Sequence, residues 1–131
     1  MLKNAEIAAI IPVRNVDAAI RFYEGTLGLT LAERRDDLPE NPEAEFTAAN
    51  GRLSVYQSAA AGRSEHTLAA FRIAELEPVV AALRERGVVF EDYDLPGLKT
   101  EQGIITAGDS RAAWFKDPDG NIVAIESTVA P

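Results

Sequence analysis

Apolar positions come in short, bounded runs along this chain, and their spacing switches between the strand and helix periods. Residues 6–13 (EIAAIIPV) form an apolar run of the length a buried strand needs. Asn15 or Asp17 then caps a predicted helix whose apolar positions Val16, Ala19, Ile20 and Tyr23 have helical spacing, with Gly25 and Gly28 ending it. A strand is predicted over 29–34, followed by a polar loop over 36–43 (DDLPENPE). Segments 45–49 and 52–58 flank Asn50-Gly51, a pair that predicts a hairpin with a type I′ turn. After a linker over 59–64 the order returns. Strand 67–73 leads to helix 75–86, with Leu76, Val79, Val80 and Leu83 on one face and Gly87 past its end. Strand 88–93, a loop over 94–103 and a short strand at 104–106 follow. Strands 111–116 and 121–127 close on the turn Asp117-Pro118-Asp119-Gly120.

The chain therefore reads βαβββ twice. The letters repeat as well: residues 10–17 lie over 70–77, and 51–58 over 120–127, with apolar mostly over apolar. The expected architecture is α+β, with two βαβββ modules forming open, curved mixed sheets around a shared groove. A length of 131 residues suits one such domain, with module one at 1–58, a linker at 59–65 and module two at 66–131.

Composition narrows the chemistry. There is no cysteine, which removes disulfides, thiolate metal sites and Cys nucleophiles, and one histidine, which removes any site needing two. Thirteen basic residues against 21 acidic give a net charge of −8. Nucleic acid and anionic membranes are disfavoured as partners, and a cationic ligand is favoured. No run reaches the length of a membrane span, and the opening MLKNAEIAAIIPVRNVD holds too short an apolar stretch for a signal peptide, so a cytoplasmic location is expected. Phosphate-cradling and nucleophile-elbow motifs are absent. The acidic pairs Asp36-Asp37 and Asp117/Asp119 sit at turns, where Asp serves backbone hydrogen bonding.

Residues 10–23 (IIPVRNVDAAIRFY) with Leu27-Gly28 resemble the opening of the vicinal oxygen chelate superfamily, and 114–125 (WFKDPDGNIVAI) resemble its closing hairpin. Residues 68–77 (LAAFRIAELE) resemble the opening of its second module. That superfamily includes glyoxalases, extradiol dioxygenases, fosfomycin-modifying enzymes and bleomycin-resistance proteins. Its enzymes hold a divalent metal through one side chain on the first and one on the last strand of each module. The resemblance carries those places onto Ala8, Val55, Leu68 and Ala124, none of which can ligate a metal. No metal and no other cofactor is therefore expected, and a homodimer is expected from the superfamily's habit.

With those places facing the groove, strand alternation turns Glu6, Ala8, Ile10, His66, Leu68 and Ala70 inward, together with Leu53, Val55, Gln57, Ile122, Ala124 and Glu126. Pairing across the turns sets Phe46 opposite Val55, Ala113 opposite Ala124, Phe115 opposite Ile122 and Arg111 opposite Glu126. Tyr56 and Trp114 turn toward the helices. Alanine at 8, 70, 113 and 124 leaves room, giving a dry pocket walled by Phe46, Val55, Leu68 and Phe115 with Gln57, His66 and Glu126 as its polar groups.

The leading reading is a metal-independent protein that sequesters a small, largely apolar or aromatic compound, as antibiotic-resistance members of the superfamily do. The alternative is a metal-free lyase or isomerase type of enzyme with Glu126 and His66 as acid and base. Metal chemistry through a shifted ring of Glu6, His66 and Glu126 ranks last.

Overall fold

The computed structural model describes residues 1–37 and 42–128, so half of the expected 36–43 loop lies outside the described residues. The chain divides into two compact units, Met1–Arg63 and Ser64–Pro131.

The first unit runs β1 (Ala8–Val13), α1 (Val16–Ile20) continuing as a π-helical turn (Arg21–Thr26), β2 (Thr30–Arg35), β3 (Glu43–Ala48) and β4 (Gly51–Gln57). Asn15 starts the helix as expected: its backbone is extended and its side-chain oxygen accepts from the Ala18 N–H at 2.8 Å. The sheet order is β1-β4-β3-β2, with β1 and β4 parallel and the other pairs antiparallel. A parallel outer pair requires a crossover, which the helix supplies. α1 packs on β3 and β4 and buries Val16 and Ala19, with Tyr23 beyond it, against Ile11, Val13, Ala44, Phe46, Leu53 and Val55. Tyr23 lies 5.8 Å from Phe46 and meets Phe22 edge-on at 5.2 Å.

The hairpin forms where expected, but its turn lies one residue earlier, which shifts the cross-strand partners by two residues. Ala48 pairs with Gly51, so Ala49-Asn50 makes the turn and Ala49 takes a φ of +46°. A positive φ at alanine costs about 1–2 kcal/mol. In exchange Phe46 lies beside Leu53 and Ala44 beside Val55, all buried. The shift of two residues keeps Phe46 on the helix side, where full burial of a phenylalanine contributes about 2–3 kcal/mol.

The second unit runs β5 (Thr67–Arg72), α2 (Leu76–Glu85), a small hairpin of β6 (Asp94–Leu95) and β7 (Leu98–Lys99), then β8 (Ile104–Ala107), β9 (Ser110–Lys116) and β10 (Ile122–Thr128). Its main sheet repeats the first, in the order β5-β10-β9-β8 with β5 and β10 parallel. The expected strand over 88–93 is reduced to a bridge between Phe90 and Phe115, with the Glu91 N–H donating to the Trp114 carbonyl at 2.8 Å. Val88 and Phe90 are buried while Val89 is 78% exposed, so the alternation is real. The chain leaves the sheet because the Asp92 carboxylate gathers the loop: Thr100 Oγ1 and the Gly103 N–H donate to it at 2.9 and 2.8 Å. Gly103 has a φ of +80°, and a Cβ there would lie 2.9 Å from Phe90 Cβ.

The closing hairpin is one residue longer than simple pairing predicts. Lys116 faces Ile122, and the Asp117 N–H donates to the Asn121 carbonyl at 2.9 Å, leaving Pro118, Asp119 and Gly120 as the loop. Gly120 supplies the left-handed residue such a loop needs, with φ +91°. Asp117 Oδ1 accepts from the Asp119 and Asn121 N–H groups and Oδ2 from Asn121 Nδ2, at 2.8–2.9 Å, with both side chains buried. An extra loop residue changes which residues share a face. The double βαβββ, α+β architecture is as expected.

Candidate functional site

Each sheet has one face under its helix and one open face, and parity along the strands divides the residues. In the first unit Ile11 pairs with Val55 and Ile10 with Ser54. Val55 therefore shares the helix side with Ile11, and Leu53 and Phe46 lie there too; Phe46 and Val55 are 0% exposed. The expected inward placement of Leu53, Val55 and Phe46 is corrected: they are core. Their neighbours Ser54 and Tyr56 take the open face beside Ala8 and Ile10, and Ile10 is 63% exposed. Tyr56, expected toward the helix, is on the open face, and Gln57, expected inward, pairs with Val13 on the helix side, half-buried at the strand end.

The rest of that open face is a lattice of ion pairs. Arg52 pairs with Glu6 and Glu45, and Arg35 with Glu33 and Glu43 at 3.2 Å each. The hydrogen bond to Glu45 raises the Arg52 pKa above the usual guanidinium value, and that to Glu33 does the same for Arg35. The space among Glu33, Arg35, Glu43, Glu45 and Ser54 is about 50 Å³. That admits a water or two and no organic guest.

In the second unit the longer loop reverses the predicted faces of β9. Val123 pairs with Phe115 and Ile125 with Ala113, and all four are buried. Ala113 and Phe115, expected as pocket lining, are core; Phe115 meets Phe90 edge-on at 5.7 Å. Trp114, expected under the helix, is on the open face opposite Ala124 and meets Tyr93 edge-on at 5.6 Å. Ala124 is only 5% exposed, so this alanine leaves no room. Burial, then the nearby Glu91 carboxylate, raises the Tyr93 pKa. Leu68 and Ala70 lie toward the open face, half-buried and exposed respectively.

Beyond Ala124 on that face lies a cavity of about 300 Å³. Its lining is Arg72 from β5, Ile105 and Ala107 from β8, Ser110, Arg111 and Ala112 from β9, and Glu126 and Ser127 from β10. Glu126, expected inward, is here, though its partner differs from the expected Arg111. Arg72, its neighbour on the parallel strand, donates Nε and Nη2 to Glu126 Oε1, each at 3.2 Å. Arg111 instead faces Ser127, pairs with Glu77, and donates Nε to Thr106 Oγ1 at 3.4 Å. His66 is exposed beside the linker, its Nδ1 2.9 Å from Ser64 Oγ. The sequence pattern does not single out Arg72, Ile105, Ala107, Ser110, Ala112 or Ser127; the one-residue change in the loop sets the faces of β9 and, through its pairing, of β8.

A divalent metal does not fit the residues at the expected places. The open-face positions of β1 and β4 include Ala8, Ile10, Arg52, Ser54 and Tyr56, and those of β5 and β10 include Leu68, Ala70, Arg72, Ala124 and Glu126. The two carboxylates of the shifted ring are engaged, Glu6 with Arg52 and Glu126 with Arg72. Among the described residues no group of three or more His, Asp or Glu side chains is placed to hold a metal ion.

Two βαβββ units, each with a parallel outer pair and one open face, define a protein of the paired-module, glyoxalase-like class. The chain belongs to the Glyoxalase/Bleomycin resistance protein/Dioxygenase superfamily, whose family model matches residues 6–125. No curated protein matches it in sequence. Among solved structures, a glyoxalase family protein from Enterococcus faecalis is similar at a TM-score of 0.74 and 18% identity, covering 96% of this chain and 99% of that one. An antibiotic binding protein from Streptomyces sp. CB03234 is similar at 0.71 and 20%, covering 95% and 98%. A fosfomycin resistance protein from Listeria monocytogenes is similar at 0.69 and 13%, covering 96% and 94%. Among the described residues no helix is long and apolar enough to cross a membrane.

Proposed function

We propose that this chain is a metal-independent small-molecule binding protein that sequesters a largely apolar or aromatic compound, acting in the cytoplasm as a homodimer. The cavity over Ile105, Ala107 and Ala112 carries this reading. At about 300 Å³ it stands at the small end of organic-ligand pockets, and its apolar floor with a polar end is their usual make-up. The similar structure of an antibiotic binding protein supports the same direction. A guest burying about 200 Å² of apolar surface gains about 5 kcal/mol before association costs.

The enzyme alternative needs Glu126 in an apolar groove with His66 as its partner. Glu126 instead sits in a partly exposed ion pair with Arg72, and the His66 ring meets Ser64 Oγ. Native mass spectrometry of the protein from its own host tests the proposal. A co-purifying organic molecule, recovered unchanged after long incubation with fresh protein, is the expected result. Conversion to a new product that Glu126→Gln abolishes would establish the enzyme instead. Stoichiometric binding of added Zn²⁺, Mn²⁺ or Ni²⁺, lost in His66→Ala, would overturn metal independence.

A further inference from the structure

Apolar burial in a cavity this small gives weak binding, so its polar end decides which guest is held. The three charged groups there are not equivalent. Arg111 is engaged by Glu77 and by Thr106. Arg72 spends two of its donors on Glu126. Both of those bonds reach the same oxygen, Oε1, so Glu126 Oε2 has no hydrogen-bond partner among the described residues. That oxygen belongs to a residue lining the cavity, on a chain of net charge −8. Each cation of the pocket thus faces a carboxylate, and Glu126, its side chain 39% exposed, keeps one oxygen outside its ion pair.

We propose that Glu126 Oε2 is the docking point for a cationic nitrogen, and that the guest is an amine-bearing amphiphile of one or two rings whose apolar body lies on Ile105, Ala107 and Ala112. This rests on the binding reading above and deepens it. A charge-assisted N–H···O bond is short and directional, and supplies the orientation that a smooth apolar floor lacks. Arg72 holds the carboxylate in place and competes with the guest for it.

Three probes of one shape separate the terms: 2-naphthylmethylammonium, 2-naphthylmethanol and 2-naphthoate, titrated into ¹⁵N-labelled full-length protein and read from amide shifts. The ammonium is expected to bind at least about 10-fold tighter than the alcohol, with shifts centred on residues 105, 107 and 112. Glu126→Gln should abolish that difference. Arg72→Met, which frees Oε1 as well, should widen it and weaken the naphthoate, so the two variants act in opposite directions where mere damage would act in one. If the alcohol and ammonium bind equally, or the naphthoate binds best, the assignment to Glu126 is wrong and the pocket stands. If none of the three shifts those amides, the pocket itself is wrong and the assignment falls with it.

Discussion

Phe46→Ala separates a core residue from a pocket wall. Phe46 is 0% exposed, packs 5.8 Å from the ring of Tyr23 and pairs across the strands with buried Leu53. Deleting such a ring removes its transfer free energy and leaves a void that rigid neighbours fill only in part, at about 3–5 kcal/mol. For a chain of this length each kcal/mol shifts the melting temperature by about 3–4 °C, so a fall of roughly 10–18 °C is expected. Ile10→Ala on the open face of the same sheet is the control. Ile10 is 63% exposed, and its truncation should cost about 0.5 kcal/mol or less. Scanning calorimetry of the three proteins side by side measures both. Equal, small losses for the two variants, with Phe46→Ala altering guest binding instead, would mean that the faces of the first sheet are assigned the wrong way round.

Asp117→Ala should cost about 2–3 kcal/mol in urea unfolding, because it leaves the buried Asn121 amide and two turn N–H groups without their acceptor. Gly103→Ala should cost about 2 kcal/mol or more by the same measurement, since the alanine would need a positive φ and would press on Phe90 Cβ. Tyr93→Phe should flatten the alkaline limb of a stability–pH curve. The folded-state pKa of Tyr93 is raised, so its contribution is complete below the unfolded value of about 10 and is lost as pH climbs through the folded one. A wild-type curve unchanged by the substitution above pH ~10 would remove burial of that hydroxyl as a contributor.

The fold was legible because its signals are local and redundant. Asn15 caps α1 by its own side chain, Leu76, Val80 and Leu83 line α2 on the predicted face, and the Asp117–Asn121 turn sits where its letters put it. The site depends on parity instead, which local signals do not supply. β10 reads Ile122-Val123-Ala124-Ile125 without alternation, so nothing in the strand itself tells which residues face the helix. The phase of β9 relative to it then hangs on the loop between them, and a loop longer by one residue exchanges Ala113 and Phe115 for Ala112 and Trp114. Glu126 kept its place because its own strand was phased correctly, while its partner changed from Arg111 to Arg72 when the neighbouring strand slipped. On β4 the error was of a different kind. Ala8 and Val55 were both turned toward the groove, yet in a parallel pair with Ile11 beside Val55 and Ile10 beside Ser54 they cannot share a face. The register of the β1–β4 pair decides between the two phases, and no local signal in either strand supplies it. Thus the strand neighbour, rather than the identity of any single residue, decides that the alanines with room above them are Ala107 and Ala112, and that the space they leave ends at Glu126.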